Sequence, residues 1–135
     1  MAVPFTREQL LETFVQYNRA IWPAQLVLFA IGAACILMVL EGRGSSRAIG
    51  FALGLVWAWM ALAYHVAFFV RVTPGAWVFA GAFMVAASAF AKRAGDGGLV
   101  FERPSGLQGA VGVLFALYGV IGYPAVAALS GLADP

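Results

Sequence analysis

The chain has 135 residues, of which 63% are hydrophobic and 10% charged, whereas ordinary soluble domains carry roughly 45–50% and about 25%. Eight Lys and Arg face six Asp and Glu, a surplus too small to coat a phosphate backbone, so nucleic acid is not an expected partner. A solvated globule and a disordered tail are excluded by the same numbers, and the single cysteine, Cys35, excludes a disulfide scaffold. What remains is an all-α protein whose solvent is the lipid bilayer.

The charges act as punctuation. Four runs lack Asp, Glu, Lys and Arg: 21 residues from Ala20 to Leu40, 23 from Ala48 to Val70, 20 from Val72 to Ala91 and 30 from Pro104 to Ala133. A helix rising 1.5 Å per residue needs about 20 apolar residues to cross the hydrocarbon layer. The runs therefore predict four transmembrane helices, over 21–40, 48–70, 75–91 and 106–123 or longer, with Pro124 kinking or breaking the last. Strands are not expected, because the runs are long and do not alternate.

Ahead of them, residues 6–20 read as an amphipathic helix in the membrane interface. Thr6 and Gln9 form a Thr-x-x-Gln capping box. Leu10, Leu11, Phe14, Val15, Ile21 and Trp22 make an apolar side, and Glu8, Glu12, Gln16 and Arg19 a polar one. Packing of that apolar side on the other helices is the alternative. Pro23 removes Trp22 from helical dihedrals and marks the bend into the first span. No secretory signal is expected, since Arg7, Glu8 and Glu12 precede the apolar run.

The connections Glu41–Arg47, Arg71–Pro74 and Lys92–Ser105 are short, which predicts antiparallel neighbours in one membrane domain, residues 1–135. Arg43, Arg47, Lys92, Arg93 and Arg103 lie on one side of that topology, and Arg7, Arg19 and Arg71 on the other. The five-to-three count places both termini outside.

Lipid supplies no hydrophobic drive between helices, so small residues must let backbones approach. Gly50 and Gly54 form one such pair, Ala82, Ala86 and Ala89 another set, and Gly109, Gly112, Ala116 and Gly119 a stripe on the last helix. Packing within the chain is the favoured use of these seams, and contact between copies the alternative. Trp22 and Trp77 read as interfacial anchors.

Catalytic, phosphate-binding and metal motifs are absent from the sequence, so no catalytic or metal site is expected. His65 is the one side chain of the His, Lys, Arg, Asp and Glu group inside a span, about 9 Å past its middle. Such a residue is a candidate site by default. The expected polar cluster comprises Asn18, Gln25, Tyr64, His65, Tyr118 and Tyr123, with a hydrogen-bond partner for the imidazole among them. A neutral, packing histidine is the bland reading. Ala61 and His65 also make Ala-x-x-x-His, which resembles the pigment-binding pattern of light-harvesting helices and leaves a tetrapyrrole on His65 as a weak possibility. No cofactor is required by the sequence.

The order Phe5-Thr6, Glu8-Gln9, Tyr17-Asn18-Arg19-Ala20-Ile21-Trp22-Pro23-Ala24-Gln25, followed by Trp57-Ala58-Trp59-Met60 and Tyr64-His65 with Phe68-Phe69, resembles an uncharacterised bacterial integral-membrane family, a domain of unknown function. The resemblance implies a polytopic protein of the bacterial inner membrane. It also implies typical members that continue with a Cys-Pro-Thr segment and further helices, so that the chain reads as a shortened or incomplete one. Three functions fit: a non-enzymatic accessory or structural subunit bound to other membrane subunits or to copies of itself; an oligomeric channel or transporter for a small solute; and a cofactor or pigment protein using His65. The first leads, because chemistry motifs are missing.

Overall fold

The two arms of the fold meet where glycine faces alanine. In the computed structural model, which describes residues 5–122 and 124–126, five helices follow one another and no strand occurs among the described residues. Helix α1 is Arg7–Ile21, α2 Ala24–Glu41, α3 Ser46–Trp59, α4 Ala76–Gly95 and α5 Gly106–Leu117. Helix α3 continues as a π-helix over Met60–Val66 and a 3₁₀ turn over Phe69–Arg71, and α5 as a π-helix over Tyr118–Gly122. Three helices are long and apolar enough to cross a membrane: Ala24–Glu41, Ser46–Arg71 and Gly106–Val126. The third expected span differs from its sequence reading. Helix α4 runs past Ala91 to Gly95 and takes Lys92 and Arg93 into its last turn, where cations complement the helix dipole.

The α1 capping box forms, with Thr6 Oγ1 accepting from the Gln9 N–H at 3.2 Å and Gln9 Oε1 accepting from the Thr6 N–H at 2.9 Å. The helix packs on the rest of the chain. It buries Thr13 and Tyr17, with Leu10 and Ile21 beside them, while Leu11 and Val15 stay exposed. The docking edge thus includes two hydroxyl-bearing residues that hydrophobicity alone does not mark. Trp22 is extended and breaks the helix before α2. At the other end of α2, Gly42 adopts φ +66° and closes the helix by donating to Val39 O, the left-handed cap that glycine supplies without a Cβ penalty.

Helices α3 and α4 are antiparallel. Gly50 lies against Ala94, Gly54 against Ala87 and Ala91, Trp57 against Phe83, and His65 against Phe79. A Cβ on Gly50 would sit 2.8 Å from Ala94 Cβ, and one on Gly54 3.1 Å from the Ala87 carbonyl oxygen. The buried residues of α4 are Ala76, Ala80, Ala87 and Ala94; the last three repeat every seven residues, the spacing of a helix–helix seam. The expected alanines are displaced from it: Ala82 and Ala89 are exposed and Ala86 only half-buried. The segment after α4 folds back over the start of α3. Phe101 N–H donates to Ser46 Oγ at 2.8 Å, Arg47 donates to Gly95 O at 3.0 Å, and Leu99 covers Gly50.

Helices α2 and α5 bury no residue. Among the described residues, nothing lies within 4 Å of where a Cβ would stand on Gly112 or Gly119, and Gly109 meets only the nearby Pro104.

Gly54→Leu should therefore lower stability by about 1–3 kcal/mol through overpacking, whereas Gly81→Leu, at a position with nothing within 4 Å, should not. Thermal unfolding of the two variants in detergent checks the contrast; equal midpoints would show that α3 and α4 are not held by this contact.

Candidate functional site

The π-helix Met60–Val66 sits where α1, α3 and α4 converge. A π-turn widens the helix, and such turns recur at functional positions. Here the segment buries Ala61, Tyr64 and His65. Tyr64 turns to α1: its ring stacks between Phe14, at 5.3 Å, and Phe69, at 5.6 Å, with Tyr17 edge-on at 5.2 Å. His65 turns to α4, stacked on Phe79 at 5.8 Å and edge-on to Phe83 at 4.8 Å, with Phe69 and Tyr64 closing other sides. Two consecutive residues thereby join two neighbouring helices.

One polar contact anchors the α1 side. Trp59 Nε1–H donates to Tyr17 Oη at 2.9 Å, across 42 positions of sequence. Burial pushes the Tyr17 hydroxyl above the ordinary phenol range, and the Trp59 hydrogen bond offsets part of that rise. Tyr17 is thus a neutral acceptor at physiological pH. Phe68 links the same cluster to the following turn, between the Tyr17 ring at 5.7 Å and the Arg71 guanidinium at 5.7 Å.

The expected polar cluster assembles only in part. Tyr64 and His65 are both 6% exposed and in contact. Asn18 and Tyr118 are exposed and Gln25 half-buried, and none of them bonds to the imidazole. Tyr123 lies outside the described residues. His65 Nδ1 is buried with no hydrogen-bond partner among the described residues; its surroundings are aromatic rings. Asn18 is not that partner, because it falls on the outer side of α1, one residue beyond the buried Tyr17. Sequence reasoning passed over Thr13, Tyr17 and Trp59. The available signal was the four-residue spacing of Thr13 and Tyr17, which places them on one helical edge.

The Ala61 position bears on the tetrapyrrole reading. Ala61 is 0% exposed, so the small residue one turn before His65 makes room for protein. With rings within 4.8–6.0 Å on its sides, His65 has the setting of a packed core residue. Among the described residues, no group of three or more His, Cys, Asp or Glu is arranged to hold a metal ion.

Two open clefts lie elsewhere, flanking α5. One, of about 510 Å³, separates α5 from α2 and α3 and is lined by Cys35, Ile36, Gly109, Gly112 and Ala116, with Glu102 at its rim. The other, of about 540 Å³, runs between Leu40 and the Ala110, Leu114 and Leu117 side of α5, with Arg103 as its one charged lining residue.

The class defined by these features is an all-helical protein with three helices apolar and long enough to span a membrane. Over residues 7–135 the chain matches DUF6064, a family of unknown function, and it belongs to that family. No curated protein and no solved structure matches it.

Tyr17→Phe should cost about 1–3 kcal/mol, because the Trp59 N–H loses its acceptor in a half-buried setting. His65→Phe should leave stability unchanged or raise it, since it replaces an imidazole whose buried Nδ1 has no partner among the described residues by an aromatic ring among rings. Thermal midpoints with tryptophan fluorescence as readout separate the two. A loss at His65→Phe as large as that at Tyr17→Phe would show that the imidazole holds a partner.

Proposed function

We propose that the protein is a multi-pass subunit of the bacterial inner membrane that acts by helix–helix association and not by catalysis. The observation that carries this reading is the state of α2 and α5. Both are largely apolar, neither buries a residue among the described ones, and no described residue lies within 4 Å of where a Cβ would stand on Gly112 of α5 or on Gly119 of the π-helix that follows it. Surface of this kind suits lipid or a second apolar helix. The glycines favour the helix, because they remove the side chains that keep two backbones apart. Partner membrane subunits or further copies of this chain are the proposed occupants.

The proposed embedding has four spans. Helix α4 is 20 residues long and pairs with α3 from Ala94–Gly50 to Phe79–His65, so it lies at the depth of whatever α3 crosses. Even-numbered spans put both termini on one side, and the five cations of the first and third connections assign that side to the exterior.

Gly112→Leu should shift the protein to a smaller assembly on blue-native gels in mild detergent while leaving its thermal midpoint near the parent's. Unchanged migration would place lipid, and not a partner, against this face. For orientation, a cysteine at Ser45, an exposed position at the start of α3, should react with an impermeant thiol reagent only after cells are opened, with Cys35 first replaced by Ser. Labelling of intact cells would reverse the topology.

A further inference from the structure

The two clefts beside α5 differ in kind. Val113 belongs to both, and the helix turns different faces into each. The cleft under Gly109, Gly112 and Ala116 has a floor of backbone and suits an approaching helix. The second cleft is walled on its α5 side by Leu114 and Leu117, branched side chains that hold a second backbone off but leave a slot along the helix. Its charge is confined to one end, at Arg103.

That end has a definite level. Arg103 lies three residues before α5 begins, and its Cβ is 3.8 Å from where a Cβ on Gly42, directly after α2, would stand. The slot thus starts where α2 ends and α5 begins, and it runs along α5. Arg103 is exposed and, among the described residues, makes no ion pair. Nearby charged groups are Glu41, Arg43 and Glu102, all exposed, with Glu102 lining the other cleft. The pattern is one cation at the rim and hydrocarbon below it. Its complement is an amphiphile with an anionic head and a hydrocarbon tail.

We infer that the cleft lined by Leu40, Arg103, Ala110, Leu114 and Leu117 is a binding site for an anionic phospholipid, with the phosphate on Arg103 and one acyl chain along α5. The inference rests on the proposed membrane embedding. An exposed guanidinium pairs bidentately with phosphate oxygens, and at the edge of hydrocarbon that pairing is less screened than in water. The acyl chain covers Leu114 and Leu117, which are exposed among the described residues. The same lipid would fill the outer side of α5 while its glycine side meets a helix.

The test uses the full chain in a neutral detergent, with phosphatidylglycerol or phosphatidylcholine added and thermal unfolding as readout. At a lipid level tenfold above its dissociation constant, phosphatidylglycerol should raise the midpoint by roughly 5 °C and phosphatidylcholine by much less. Arg103→Gln should erase the difference between the lipids, and Arg93→Gln, a cation away from the cleft, should preserve it. Ala110→Phe should also erase it by filling the slot while leaving the charge in place. Equal shifts by both lipids, a difference that survives Arg103→Gln, or an equal shift by inorganic phosphate alone would overturn the site. Release of the protein from membranes by alkaline carbonate would instead overturn the embedding, so the two failures are distinguishable.

Discussion

The fold depends on how closely α3 and α4 approach each other. In the proposed membrane setting, burial of one leucine against another offers little gain over contact with lipid. What distinguishes the folded pair is dispersion between surfaces in near contact. Gly50 and Gly54 on one helix and Ala80, Ala87 and Ala94 on the other remove the atoms that would hold the axes apart. The rest of the chain is arranged around that seam. The connection after α4 lies on its open end through Leu99 and Phe101, and the π-helix continues it at the other end through His65 and Phe83. Helix α1 then docks on the π-helix, so its position is inherited from the seam and not set independently.

The π-helix resolves a geometric problem. Helices α1 and α4 approach the end of α3 from different directions, and each needs a large flat side chain to pack on. Tyr64 serves α1 and His65 serves α4. The widened turn between Met60 and Val66 lets adjacent residues both be buried without leaving the helix. Aromatic rings do most of the joining, through edge-on and stacked pairs that add about 0.5–1.5 kcal/mol each beyond area burial. The one hydrogen bond of the cluster, Trp59 to Tyr17, gives it direction.

Local features were legible in the residue order, and long-range ones less so. The capping box at Thr6 and Gln9 is a matter of four consecutive positions, and it forms as spaced. The all-helical character follows from charge-free runs too long for strands. The Gly50–Gly54 pair was visible because small residues four apart share a helix face. The alanine seam of α4 was misplaced because alanine is so frequent between residues 76 and 94 that several registers satisfy the same rule. The choice among them is made by α3, which the α4 sequence does not contain. The make-up of the polar cluster depends on a choice of the same kind. Asn18 and Tyr17 are adjacent, and only the docking of α1 decides which one faces inward. No residue in Met60–Val66 announces a π-helix by its type.

The chain's one cysteine stands in the cleft beside the α5 glycines. It lies on α2, and Gly109, Gly112 and Ala116 face it from α5. Cys35 is thus a built-in optical handle: a small environment-sensitive fluorophore coupled there senses the polarity and crowding of the groove with no engineered attachment point. Arrival of a neighbouring helix in the groove displaces the dye or shifts its colour. Occupation of the slot behind Leu114, which Cys35 does not line, would leave its emission unchanged, so a single thiol distinguishes the two sides of one helix.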